Sequence, residues 1–203
     1  MNIVFQGDSI TDCCRGDGLG AGYAMLCTAA LTSEKPGEYA CYNRGIGGHR
    51  VTDLLARWKR DCLNLNPDFL SIHIGINDVW HELGGQNGVE AELFEAAYDL
   101  LLSYTFRNCP DVKVVLMDPF VLPGTATNEH LEYFQKEVAL RREAVARLAK
   151  KYDLPVIPLQ EVFDEACKRA PSACWSGDGV HPTAGGHALI AKRWLEKFHE
   201  LCG

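Results

Sequence analysis

A serine follows the first apolar run of this 203-residue chain. The run Ile3 to Phe5 is typical of a buried strand, and Gly7, Asp8 and Ser9 follow it as a small polar turn. A serine hydroxyl is a weak nucleophile until a neighbouring base removes its proton and hydrogen-bond donors stabilise the charge on the attacked oxygen. If Ser9 is a nucleophile, other parts of the chain must supply the base and the donors.

An aspartate and a histidine near the far end of the chain have the spacing for that task. Asp178 and His181 are separated by two residues, and Gly179 and Pro182 disfavour a helix through this stretch. In such a turn the carboxylate can reach one imidazole nitrogen while the other nitrogen faces a serine. By itself the spacing also suits a capping aspartate and a surface histidine, but together with Ser9 it indicates a nucleophile, its base and an orienting acid.

Two further motifs offer donors for a negatively charged oxygen. The glycines in the segment 43–48, Asn-Arg-Gly-Ile-Gly-Gly, allow positive φ and close approach, so a backbone N–H in this turn could point at an oxyanion. Asn77, in the segment Gly-Ile-Asn-Asp at 75–78, adds a neutral side-chain amide with two N–H donors. Each motif is also an ordinary turn signal, so only their combination with Ser9 and His181 indicates catalysis.

Strands and helices are predicted to alternate along the chain. Apolar runs typical of buried parallel strands lie at Ile3–Phe5, Tyr39–Tyr42, Phe69–Ile74, Val112–Met117 and Pro155–Ile157. Helical spacing of apolar residues occupies Ala21–Leu31, Val51–Leu63, Glu90–Phe106, Leu131–Tyr152 and Ala184–Leu201. The long segments Val79–Gly88 and Pro119–His130 are predicted as loops.

This alternation predicts an α/β fold with a five-stranded parallel sheet and helices on both faces. The carboxyl ends of parallel strands lie at one edge of the sheet, where ligands bind. Ser9, the glycine turn and Asn77 each follow a different predicted strand, so we expect them to meet in one crevice. No linker divides the sequence, and residues 1–203 are expected to form a single domain.

Taken together, these motifs resemble the four sequence blocks of the SGNH hydrolases, the GDSL esterase/lipase superfamily. The resemblance rests on Gly7-Asp8-Ser9-Ile10, Gly45, Gly75-Ile76-Asn77-Asp78 and Asp178-Gly179-Val180-His181-Pro182, which occur in the family's order. Ile10 replaces the leucine of the family's name and is also apolar.

The resemblance implies a flavodoxin-like three-layer α/β/α sandwich and a serine esterase that works through an acyl-enzyme. It assigns Ser9 as nucleophile, His181 as base and Asp178 as its orienting acid. It also assigns the backbone amides of Ser9 and Gly45 and the side chain of Asn77 as oxyanion donors. No cofactor and no metal ion are expected for this chemistry.

Five other residues are candidates for contact with a substrate. His49 lies beside the glycine turn, and His81 and Trp80 follow the Asn77 motif. Trp80, His81 and Trp175 carry flat amphipathic side chains that could stack on sugar rings or line an acyl groove. Asp8 adjoins the nucleophile, although bracing its own turn is an alternative role for it.

Composition excludes some classes of partner. The chain has 27 acidic residues against 20 basic ones, and its formal net charge of −7 disfavours nucleic acid. No apolar stretch approaches the roughly 20 residues needed to cross a bilayer, so stable membrane anchoring is not expected. Nine cysteines without a Cys-x-x-Cys pair favour free thiols and a cytoplasmic location. The oligomeric state is not indicated.

Two alternatives to a short-chain esterase remain from the sequence. The expected substrate is a small-molecule or carbohydrate ester, such as an O-acetylated sugar, because short loops suggest an open, shallow site. The first alternative is a lysophospholipase or thioesterase that acts on longer acyl chains, as other members of the resembled superfamily do. The second is a non-catalytic binding protein of the same fold. A metal-dependent phosphoesterase would explain the aspartates but would leave Ser9 and Asn77 without a role.

Overall fold

The computed structural model, which describes all of residues 1–203, contains one sheet of five parallel strands. Each of the five predicted apolar runs forms one strand, and the strand order is β2-β1-β3-β4-β5. This is the order of flavodoxin-like sheets. The strands are β1 (Asn2–Gly7), β2 (Ala40–Asn43), β3 (Phe69–His73), β4 (Lys113–Met117) and β5 (Val156–Ile157).

The sheet is covered on both faces, which is why its strands are apolar at nearly every position. Alternate residues of a strand point to opposite faces, so Phe5 belongs to one core cluster and its neighbour Val4 to the other. The α/β sandwich with a five-stranded parallel sheet is therefore confirmed.

Eight helices surround the sheet. Helices α2, α7 and α8 contribute to the core on one face, α3 and α5 to the core on the other, and α6 to both. The helices are α1 (Ser9–Asp12), α2 (Tyr23–Glu34), α3 (Val51–Asp61), α4 (Ile76–Gly85), α5 (Ala91–Asn108), α6 (Leu131–Tyr152), α7 (Leu159–Cys167) and α8 (Ala184–Cys202). None of them is both long and apolar enough to span a membrane.

The prediction of a loop at Val79–Gly88 is wrong, because most of this segment belongs to helix α4. The sequence pattern also missed α7 and the four-residue α1. The segment Pro119–His130 contains only a short 3₁₀ turn at Asn128–His130 and is otherwise a loop, as predicted. All nine cysteines are free thiols, in agreement with the sequence pattern.

The topology brings the polar turns that follow β1 and β3 to one place. Strands β1 and β3 are neighbours although β2 separates them in sequence. Strand β2 is added on one side of β1 and the later strands on the other, so the order in which strands are added reverses between β1 and β3. A crevice forms outside the carboxyl ends of strands at such a switch point. Ser9 follows β1 and Asn77 follows β3, one on each side of the crevice.

Candidate active site

Ser9 lies in the first turn after β1, at the start of the short helix α1. Asp8 caps this helix, because its Oδ1 accepts the N–H of Ile10 at 3.0 Å. The cap holds the Ser9 side chain at the protein surface, where its Oγ lies 2.8 Å from Nε2 of His181. This distance permits direct transfer of the hydroxyl proton.

His181 is oriented by Asp178 in the same loop. Nδ1 of His181 lies 2.6 Å from Oδ2 of Asp178, so the carboxylate favours the tautomer with hydrogen on Nδ1 and a lone pair on the Nε2 that faces Ser9. The other carboxylate oxygen, Oδ1, accepts the N–H groups of Val180 at 2.9 Å and His181 at 2.7 Å. One side chain thereby shapes the loop and aligns the imidazole.

The same hydrogen bonds keep Asp178 ionised. Burial, the largest single influence, would raise the pKa of Asp178, but the bonds from the His181 ring and from the N–H groups of Val180 and His181 together hold that pKa below its usual value. An ionised partner stabilises the positive charge that the imidazole acquires when it takes a proton.

The loop that carries Asp178 and His181 is fixed against the segment after β4. Leu122 donates its N–H to the carbonyl of Gly179 at 2.9 Å, and Ala126 donates to the carbonyl of Asp178 at 3.0 Å. The buried Ser176 accepts the N–H of Gly179 at 3.1 Å, and its hydroxyl lies 2.9 Å from the His181 carbonyl. The position of His181 therefore depends on contacts outside its own loop.

Asn77 is held at the N-terminus of α4 on the opposite side of the crevice. Its Nδ2 donates one hydrogen to the carbonyl of His49 at 3.1 Å, which leaves the second hydrogen of the amide free, and the residue lines the same cleft as Ser9. The next residue, Asp78, accepts the N–H of Val51 at 3.0 Å and so ties the start of α4 to the start of α3. Asn77 is 5% exposed, which suits a preorganised donor.

The assignment of Gly45 as an oxyanion donor is wrong. Its backbone N–H donates to Oδ1 of the buried Asn43 at 2.9 Å and is not available to a ligand. A side chain at Gly45 would meet the backbone N of Asp12 at 2.2 Å, so this glycine permits close approach of the turn to helix α1. Asn43 also donates to the carbonyl of Thr11 at 2.6 Å, which fixes the same contact.

Gly48, and not Gly45, has the free backbone N–H that was expected in this turn. The N–H of His49 donates to the carbonyl of Ile46 at 3.2 Å, and Gly48 has φ +79°, which is the pattern of a type II turn with glycine at its third position. The N–H of Gly48 has no acceptor within the protein, and Gly48 lines the cleft with Ser9 and Asn77.

The cleft around Ser9 has a volume of about 560 Å³, and only one of its nine lining residues is hydrophobic. This size is within the range of small-molecule sites. No group of three or more His, Cys, Asp or Glu side chains is arranged to hold a metal ion. The lining residues are Ser9, Gly48, Asn77, Trp80, His81, Gly84, Gly85, Asn87 and His181.

Of the five residues predicted to contact a substrate, Trp80 and His81 line the cleft. The Trp80 ring lies 6.0 Å from the His181 ring. The other three do not line it. Asp8 is fully buried as a helix cap, the His49 ring accepts a hydrogen bond from Arg57, and Trp175 lies outside the cleft with the Arg169 guanidinium 5.2 Å from its ring centre.

Arg57 supports the site and was missed by the sequence pattern. From helix α3 it donates to the carbonyl of Gly7 at 3.1 Å, to the carbonyl of Arg44 at 2.7 Å and to Oε1 of Gln6 at 3.1 Å. Its Nε donates to Nδ1 of His49 at 3.0 Å. Arg57 thus links the end of β1 to the turn that carries Gly48.

Two buried carboxyl groups lie beneath the crevice. Burial raises the pKa of Asp8 to about 7, against the opposing effect of its hydrogen bond from Ile10. Burial likewise raises the pKa of Asp78 to about 7, against its hydrogen bond from Val51. Oδ2 of Asp8 has no partner in the protein. Both groups are therefore sources of pH-dependent stability.

Comparison with known proteins agrees with this geometry. The model of the GDSL-like lipase/acylhydrolase family matches residues 5–189. An acetylxylan esterase from Geobacillus stearothermophilus is 33% identical over an alignment of 206 positions, gaps included, that covers 96% of this chain and 92% of the relative.

Solved structures show the same similarity. A GDSL-like lipase from Parabacteroides merdae has a TM-score of 0.91 and 37% identity, with coverage of 96% of this chain and 94% of its own. Axe2, an acetylxylan esterase from Geobacillus stearothermophilus, has a TM-score of 0.85 and 31% identity, with coverage of 97% and 93%. Its catalytic mutants carry alanine in place of an aspartate, a histidine or a serine. The present chain is a carboxylic ester hydrolase and belongs to the GDSL-like lipase/acylhydrolase family.

Proposed function

We propose that this protein is a serine esterase that removes acetyl groups from carbohydrates, with Ser9, His181 and Asp178 as its catalytic residues. The observation that carries the proposal is the pair of hydrogen bonds that joins Ser9 Oγ to His181 Nε2 and His181 Nδ1 to Asp178 Oδ2 at the mouth of a polar cleft. The similarity to acetylxylan esterases supports the choice of substrate.

Acylation begins when Ser9 Oγ attacks the ester carbonyl carbon. His181 Nε2 accepts the hydroxyl proton as the new C–O bond forms, and Asp178 stabilises the resulting imidazolium. The tetrahedral intermediate collapses as the C–O bond to the alcohol breaks, and His181 returns the proton to the departing alkoxide. The products of this half-reaction are the free sugar hydroxyl and an acetyl ester on Ser9.

Three donors are available to the oxyanion of that intermediate. They are the backbone N–H groups of Ser9 and Gly48, which have no acceptor within the protein, and the free Nδ2 hydrogen of Asn77. All three residues line one cleft. Donors fixed before the reaction stabilise a developing charge without the cost of reorganising solvent.

Deacylation repeats the same steps with water. A water molecule that gives its proton to His181 Nε2 attacks the acetyl carbonyl, the oxyanion forms against the same donors, and Ser9 leaves with the proton from His181. Acetic acid is released and the resting hydrogen bonds are restored.

The lining of the cleft favours a short acyl group on a polar alcohol. Trp80 is its only hydrophobic side chain, so a long acyl chain would find little apolar surface to cover it. Burial of each CH₂ group contributes about 0.8 kcal/mol, and an open polar cleft forgoes most of that gain. This disfavours the lysophospholipase and long-chain thioesterase alternatives.

Two substrate series test the proposal. Hydrolysis of p-nitrophenyl esters from acetate to palmitate should be fastest on acetate, and acetate should be released from acetylated xylo-oligosaccharides. Both activities should disappear in Ser9→Ala. A maximum at long acyl chains, or no release of acetate from the acetylated saccharides by the wild-type enzyme, would contradict the proposed substrate class.

A further inference from the structure

The last turn of helix α4 ends with two glycines, Gly84 and Gly85, that the backbone does not require. Neither has a positive φ, and the left-handed residue that ends the helix is Gln86, with φ 48°. Glycine is a poorer helix former than alanine, so two adjacent glycines weaken this turn. Helix geometry therefore does not explain them.

Packing does not explain them either. A Cβ atom at Gly84 or Gly85 would meet no heavy atom of the protein within 4 Å. The next glycine differs, because a Cβ atom at Gly88 would lie 2.8 Å from Cβ of Glu82. At Gly84 and Gly85, the absent side chains leave open space and not a close contact.

That open space belongs to the cleft of Ser9 and His181, which Gly84 and Gly85 line. Beside them, the side chains of His81 and Asn87 line the same cleft and have no hydrogen-bond partner within the protein. The last turn of α4 therefore offers an unobstructed backbone surface with free polar groups at its edges.

We infer that this turn is the binding surface for the alcohol part of the ester, and that Gly84 and Gly85 set the size of the alcohol that the enzyme accepts. The inference rests on the proposed function. An acetyl group fills only a small part of a cleft of about 560 Å³, so the remainder is available to the alcohol. The alcohol class that fits is a saccharide of two or more rings, whose hydroxyl groups bond to His81 and Asn87 while a ring lies over the two glycines.

Substitution by leucine tests the inference, because leucine suits a helix and adds bulk where the structure has room for it. Gly84→Leu and Gly85→Leu should keep the wild-type Tm or raise it. Their kcat/KM on acetylated xylo-oligosaccharides should fall at least tenfold, mainly through KM. Their kcat/KM on ethyl acetate, which has a two-carbon alcohol, should stay within about twofold. Gly84→Ala should give a smaller loss in the same direction.

Two further variants separate bulk from other effects. Gly18→Leu is the matched control, because Gly18 is exposed outside the cleft and a Cβ atom added there would make only an ordinary contact at 3.5 Å. This variant should leave kcat/KM unchanged for both substrates. Asn87→Ala should raise KM for the saccharide and leave ethyl acetate unchanged. Equal effects of Gly84→Leu on both substrates, or none on the saccharide, would overturn the inference. If wild-type enzyme hydrolyses ethyl acetate but not the acetylated saccharide, the proposed function itself fails.

Discussion

Replacement of Asp178 by asparagine tests how the candidate triad works. The carboxylate makes two kinds of contact: Oδ1 accepts the N–H groups of Val180 and His181, and Oδ2 accepts the proton on Nδ1 of His181. Asparagine can keep the first contacts through its carbonyl oxygen. Its NH₂ group then faces Nδ1 and donates to it, which places the imidazole hydrogen on Nε2.

The expected loss is large because the wrong tautomer cannot accept the Ser9 proton. A comparable exchange in a serine protease lowers kcat by about 10⁴-fold with the geometry intact. Since each tenfold step corresponds to about 1.4 kcal/mol, the activation barrier should rise by roughly 5 kcal/mol. KM should change little, because Asp178 does not line the cleft.

Steady-state hydrolysis of p-nitrophenyl acetate measures both constants. The control is Asp17→Asn, at an exposed aspartate that does not line the cleft, which should keep the wild-type rate. Thermal unfolding of Asp178→Asn should show a Tm close to that of the wild type, since the Oδ1 contacts persist. A variant that folds normally and keeps its rate within about tenfold would refute the role assigned to Asp178.

Three further variants test the oxyanion donors, the support of the site and the buried acid. Asn77→Ala should lower kcat by about 10²–10³-fold with KM nearly unchanged, and retention of the full rate in p-nitrophenyl acetate hydrolysis would exclude the side chain as a donor. Arg57→Ala removes the hydrogen bonds to the carbonyls of Gly7 and Arg44 and should lower the stability by about 3 kcal/mol, or Tm by about 10 °C. The control Arg60→Ala, at a side chain that is 90% exposed, should leave Tm unchanged. Equal Tm values for Arg57→Ala and the wild type would contradict the linking role of Arg57. Asp8 has a folded-state pKa of about 7, above the value of 3.8 for an ordinary aspartate, so its contribution to stability is full in acid and is lost as pH rises through 7. Asp8→Asn should therefore lose less stability than the wild type between pH 5 and 8, by about 3 kcal/mol in urea unfolding, and equal losses would show that the carboxyl is not held neutral.

The strands were predictable because a sheet covered on both faces needs apolar residues at nearly every position. All five runs became strands in the expected parallel sheet. Helix α4 was not predictable from the same signals, since Gly75, Asn77 and the pair Gly84-Gly85 are typical of turns. Tertiary contacts stabilise this helix: Ile76 and Val79 are buried in the core despite the turn-like sequence around them.

The candidate triad was predictable because its parts are local motifs placed by the topology. The donor in the glycine turn was not, since the direction of a backbone N–H depends on its neighbours in space. The side chain of Asn43 accepts the N–H of Gly45, whereas the N–H of Gly48, which has a positive φ, stays free. Arg57 was missed for a similar reason, because its partners lie on other elements and its own segment is typical of an exposed helix.

The most direct test of the central claim is the rate of p-nitrophenyl acetate hydrolysis by Ser9→Ala, measured beside the wild type and Ser33→Ala. Ser33 is exposed on α2, and its replacement should leave the rate unchanged. Catalysis through a covalent Ser9 intermediate predicts loss of hydrolysis in Ser9→Ala and no effect of a chelator on the wild type. Substantial activity in a folded Ser9→Ala protein, or loss of wild-type activity to the chelator, would contradict it.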